Sequence, residues 1–113
     1  MAGATGSTDV IQGTLDMLIL KSLSLQPMHG FGITQRIEQI SKGVFKVNPG
    51  SLLLAFQRME REGLIDAEWR ASENNRRAKY YSLTSKGRKQ LKLDASEWER
   101  RAAAIARLLS AEG

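Results

Sequence analysis

Apolar positions recur at steps of three and four through Ile11, Leu15, Leu18, Ile19 and Leu23, which predicts a helix beginning near Val10. Pro27 and Gly30 bracket Met28-His29 and end that helix in a short turn. A second helix follows, with Phe31, Ile33, Ile37 and Ile40 on its apolar side, and Gly43 stops it. Val44, Phe45 and Val47 alternate over a stretch long enough only for a short strand. Asn48-Pro49 starts a third helix: Asn accepts from free amides, and Pro is pre-set for the first helical position. That helix runs to about Glu62 before Gly63. Its predicted core stripe is Leu52, Ala55, Phe56 and Met59, and its opposite face carries Ser51, Leu54, Gln57, Arg58 and Arg61.

The period then changes to two. Ile65, Ala67 and Trp69 alternate with Asp66, Glu68 and Arg70 as a half-buried strand, in which Trp69 is expected to close against the core. Ser72 to Arg77 is a polar turn and Lys79 to Leu83 the returning strand. Thr84 caps a last helix reaching about Leu109. Leu91, Ala95, Trp98, Ala102, Ile105 and Leu109 form a heptad seam on it, and such a seam wants another helix. The first helix of the same chain is one partner; a second copy is the expected one, giving a homodimer. The fold class is thus mainly α with a small β-hairpin, a winged helix-turn-helix plus a long C-terminal dimerisation helix. Residues 1–9 read as a disordered tail, 10–84 as the winged-helix domain and 85–113 as the dimerisation helix.

Composition narrows the function. The 113 residues suit one small domain. There is no Cys and a single His, so thiolate zinc sites, disulfides and a Cys nucleophile are excluded, and His29 reads as a turn-packing residue rather than a switch. No paired acid and base, Gly-rich phosphate loop or nucleophile triad is visible, which argues against an enzyme and any cofactor. No signal-like or membrane-spanning stretch is visible either, so a cytoplasmic, soluble protein is expected. The net charge of +5 is local: Arg70 to Lys92 holds eight basic residues against Glu73 alone, or +7, which leaves −2 elsewhere. Double-stranded DNA is the partner this charge favours.

A helix fits the major groove of B-DNA while a basic hairpin reaches phosphates or the minor groove. On that logic Gln57 and Arg58 are candidate base or phosphate contacts, Arg76 and Arg77 wing contacts, and Arg36 a phosphate clamp. Arg58 has an alternative in a helix-surface pair with Glu62.

Four segments carry a resemblance: Gly13 to Ile33, Gly43 to Leu52, Arg61 to Ile65 and Arg76 to Leu91. Together, in this order, they resemble the PadR family of bacterial transcriptional regulators, in particular its compact subgroup with a single C-terminal helix. The resemblance implies a winged-helix DNA-binding protein, a homodimer through the last helix, and usually repression. It places Asn48, Pro49, Gly50 and Ser51 at the start of the recognition helix, Arg58 and Glu60 farther along it, and Arg76, Arg77, Lys79 and Tyr80 on the wing. Where family members commonly carry Tyr-Pro, this chain has Leu53-Leu54, and leucine can touch a thymine methyl but cannot donate to phosphate. Trp98, in the seam, reads first as core packing; the resemblance adds an alternative, a stacking site for a small aromatic effector, since some family members carry a tryptophan at the dimer interface. The competing class is a winged-helix docking module that binds protein through a Leu53-Leu54 patch instead of specific DNA.

Overall fold

A computed structural model describes residues 14–71 and 76–112. The elements run α1 (Thr14–Leu25), β1 (Met28–His29), α2 (Gly30–Ile40), α3 (Pro49–Arg61), β2 (Ile65–Ala71), β3 (Arg77–Leu83) and α4 (Ser85–Ser110). The expected tail, the first turn of the first helix and the middle of the hairpin turn lie outside the described residues.

Both predicted caps form. Asn48 Oδ1 accepts from the amides of Gly50 (2.8 Å) and Ser51 (3.2 Å), with Pro49 at the first helical position. His29 turns out to be a third cap: its Nδ1 accepts from the Gly32 amide at 3.1 Å and starts α2. The expected stripe of α3 is buried in full, Leu52, Ala55, Phe56 and Met59 facing a core that holds Ile19, Leu20 and Leu23 of α1, Ile33 and Ile37 of α2, and Ile65 and Tyr81 of the sheet. Phe56 stacks on Tyr81 with ring centres 4.1 Å apart, and burial pushes the Tyr81 phenol above its ordinary pKa.

The sheet is antiparallel, in the order β1-β3-β2. The hairpin therefore gains a third strand, because Met28 and His29 pair with Tyr81 and Tyr80. The strand expected at Val44, Phe45 and Val47 does not form. The amides of Val44 and Phe45 bond back to the Ser41 carbonyl and hydroxyl, each at 3.1 Å, while Val47 turns inward, Phe45 packs on the core and Val44 stays exposed.

Two further expectations are corrected. Phe31 and Ile40, expected on the apolar side of the second helix, are exposed, Phe31 by 67%. Phe31 sits two residues before Ile33 and so on the other side of the helix, while Ile40 lies in the last turn, beyond the core. Trp69 has the correct parity, directly across from Lys79 and on the same face as Ala67 and Tyr81. The strands outrun the core, however, and the indole is left 56% exposed with the Arg77 guanidinium 5.5 Å from its ring centre.

The turn from α3 into β2 uses Gly63 at φ 77°, a left-handed conformation that disfavours a side chain. Immediately above it α4 begins. The Thr84 hydroxyl donates to the Gly63 carbonyl (2.7 Å), with the Leu64 carbonyl at 3.0 Å, and accepts from the Gly87 amide (2.9 Å). Gly87 comes so near β2 that a Cβ there would meet the Leu64 oxygen at 2.2 Å and Leu83 Cδ1 at 2.7 Å. Arg58 supplies another tie. Its guanidinium grips both carboxylate oxygens of Asp16 at 2.7 Å, with Glu62 at 3.9 Å, joining α3 to α1. This hydrogen-bonded pairing holds the guanidinium pKa above its ordinary value.

Gly87→Ala should destabilise the protein by about 2 kcal/mol or more in urea denaturation, since a backbone oxygen has to move to admit the methyl group. Asp16→Ala should cost about 1 kcal/mol, because the pair is bidentate but partly exposed, and the loss should shrink as salt is raised.

Candidate nucleic-acid interface

The exposed side of α3 is set by the buried one. With Leu52, Ala55, Phe56 and Met59 facing inward, helical geometry turns Ser51, Leu53, Leu54 and Gln57 to solvent. Arg58 does not share this display: as described above, it is folded onto Asp16 rather than held out from the surface. Asn48 is exposed, but its side-chain oxygen is spent on the helix cap.

The wing presents two different faces. Arg77, Lys79 and Tyr81 point one way and Ala78 and Tyr80 the other, as the alternation of a strand requires. Arg76 and Arg77 are exposed. Lys79 Nζ lies 3.3 Å from Glu60 Oε1, a contact that ties the wing to α3. On the far side Tyr80 meets the edge of the His29 ring at 5.5 Å and carries the Arg70 guanidinium 5.1 Å from its ring centre. Arg70 in turn pairs with Glu68 at 2.5 Å.

Leu53, Arg76, Arg77 and Lys79 thus converge on one groove between α2, α3 and the wing. Tyr80 and Arg36 are not among its lining residues. Arg36 is half-buried on α2. Sequence reasoning missed Phe31, which it assigned to the core and which lines this groove beside Leu53. The two-residue offset of Phe31 from Ile33 was the signal that separates it from the buried face.

The seam of α4 divides in two. Leu91 packs against the core, whereas Trp98 is 37% exposed and Ile105 and Leu109 are open to solvent, Leu109 by 82%. Gly87 is the sole fully buried residue of this 26-residue helix. Its polar side is laced by Glu97 with Arg100 and Arg101, and hydrogen bonding to Arg100 above all holds the Glu97 carboxyl below the usual carboxylate range. Trp98 borders a crevice of about 60 Å³ with Thr14, Met17, Leu18 and Phe45. No group of three or more His, Asp or Glu side chains able to hold a metal occurs among the described residues. No helix there is long and apolar enough to cross a membrane.

Comparison with known proteins agrees with this architecture. An uncharacterised protein of Lysinibacillus sphaericus is 31% identical over 91 residues, which span 80% of this chain and 84% of the relative. A transcriptional regulator from Clostridium thermocellum superposes with a TM-score of 0.78 at 30% identity, over 88% of this chain and 96% of that one. A PadR-like transcriptional regulator from Bacillus cereus does so with a TM-score of 0.78 at 27% identity, over 90% and 97% of the two chains. Residues 19–93 match the sequence profile described as the transcriptional regulator PadR-like family. Members of that family are DNA-binding regulators rather than enzymes. By fold, by profile and by these likenesses, the chain belongs to the PadR-like family of transcriptional regulators.

Proposed function

We propose that this regulator acts as a homodimer that reads operator DNA with α3 in the major groove and the wing on the backbone or minor groove. The observation that carries this reading is the convergence of Leu53, on the exposed side of α3, with Arg76, Arg77 and Lys79. Backbone cations position a protein on DNA, and side chains on a helix in the groove specify the sequence. Ser51, Leu53, Leu54 and Gln57 are the proposed base-reading positions, and Leu53 and Leu54 suit thymine methyl groups. Arg36 is the proposed phosphate clamp from α2, and Tyr80 and Asn48 flank the contact. Arg58 enters only if it leaves Asp16, so we assign it no base.

The unpartnered end of α4 supports the dimer. A 26-residue helix is about 39 Å long, and the described residues cover its seam only as far as Trp98, beyond which Ile105 and Leu109 stay open to solvent. A two-fold partner would bury that seam and set two recognition helices for half-sites on one side of the duplex. The regulatory sense we propose is repression, the usual outcome in this family, exerted in the bacterial cytoplasm. An aromatic effector on Trp98 would need the partner's helix as its second wall, since a crevice of about 60 Å³ in one chain holds only about two water molecules. The exposed Leu53 and Leu54 also favour a second reading, a docking module for protein. A mobility-shift titration with genomic fragments separates the two, because a pure docking domain retains no specific DNA.

Arg76→Ala with Arg77→Ala should weaken binding to every DNA sequence alike. It should also flatten the slope of log K against log salt by about 2 per chain. Unchanged affinity and slope would remove the wing from the interface. Ile105→Asp with Leu109→Asp should convert the species seen in analytical ultracentrifugation to a monomer and lower operator affinity by about 100-fold or more. A wild-type monomer at micromolar concentration would overturn the seam.

A further inference from the structure

The groove between α2, the first half of α3 and β3 has a volume of about 690 Å³, within the range of small-molecule sites. Its open walls are Phe31 and Leu53, its floor is closed by the buried Leu52 and Phe56, and His29, Thr34 and Lys79 line it as well. Phe56 is rigidly placed, with one side held against Tyr81. Phe31 is the reverse, a large ring left mostly in water at the groove edge with His29 stacked near it, 6.4 Å between ring centres. A DNA phosphate has no use for such a floor, because phosphate is held by N–H donors and cations. Cations are present, but at one rim, where Arg76 and Arg77 stand exposed. No carboxylate occurs among the described lining residues. An apolar bed with a cationic rim is complementary to a molecule that has both an apolar body and an anionic end.

We propose that this groove binds an amphipathic organic anion, an aromatic or branched apolar body bearing a carboxylate or sulfonate. The body lies between Phe31 and Leu53, above the buried Phe56 ring, and the acid meets Arg76 and Arg77. This site is separate from Trp98. Because Leu53, Arg76 and Arg77 also belong to the proposed DNA interface, ligand and DNA exclude one another directly, with no conformational relay. Only this exclusion rests on the DNA-binding reading; the ligand site stands on the groove alone.

The probes are anilinonaphthalene sulfonate and its neutral analogue phenylnaphthylamine, which has the same rings without the acid, followed by fluorescence titration of the full chain. We expect one saturable sulfonate site per chain, and about tenfold weaker binding when Arg76→Ala and Arg77→Ala remove the rim. The neutral analogue should be indifferent to that change. Phe31→Ser and, independently, Leu53→Ser should weaken both probes severalfold, and Trp98→Ala should weaken neither. All five positions are exposed, so the variants should keep the fold, which circular dichroism checks. Absence of a saturable site, binding that survives the groove variants, or binding lost only in Trp98→Ala would overturn the site. In the second arm, rising sulfonate should raise the apparent Kd for selected operator DNA in linear proportion in the wild type but not in Phe31→Ser. Sulfonate bound in the groove with an unchanged Kd would overturn the exclusion alone. Failure to bind any DNA would overturn the DNA reading, and the exclusion with it, while leaving the probe arm intact.

Discussion

The structure depends on one close approach, that of the first turn of α4 to the start of β2. Gly87 brings the helix backbone onto the Leu64 carbonyl at a distance that no side chain permits, and the Thr84 hydroxyl bonds both sides of the junction. This contact decides where a 26-residue helix leaves the winged domain. It also lets Leu91 reach the core while the distal seam projects past it. A larger residue at position 87 would swing the helix, and with it the spacing of any two recognition helices joined through its end.

The same economy governs α3. Four inward side chains fix its rotation, so its remaining sides are assigned without further choice. One of them is anchored, through Arg58, to α1. The other, with Leu53, Leu54 and Gln57, is left open to solvent, Leu53 beside the wing. An arginine held bidentately by a partly buried carboxylate is poorly available to a base, because leaving would strand that carboxylate. Leucine at 53 and 54 makes the open side apolar, and this is the property that joins the proposed thymine contacts to the proposed ligand bed.

Much of this was legible in the sequence because it is local. The stripe Leu52, Ala55, Phe56 and Met59 follows from helical spacing, the caps at Asn48 and Thr84 from short side-chain acceptors next to free amides, and the parity of β2 and β3 from a period of two. The failures share a cause as well. Phe31, Ile40 and Trp69 were apolar residues assigned to a core that does not extend as far as their elements do. Val44, Phe45 and Val47 had the alternation of a strand, but the amides of Val44 and Phe45 bond back to Ser41 at the end of α2 instead of to a strand. In each case pattern described the segment, and the extent of its neighbours decided the outcome.

By itself the sequence determined the order of the four helices and the hairpin, the inward face of α3 and the concentration of positive charge from Arg70 to Lys92, since periodicity, capping and charge act over a few residues. Tertiary structure alone decided that Arg58 closes on Asp16, 42 residues away, that Met28-His29 completes the sheet, and that Phe31, Leu53, Arg76 and Arg77 share one groove. Those are meetings of segments distant along the chain, selected by how the core packs, and no local pattern encodes them.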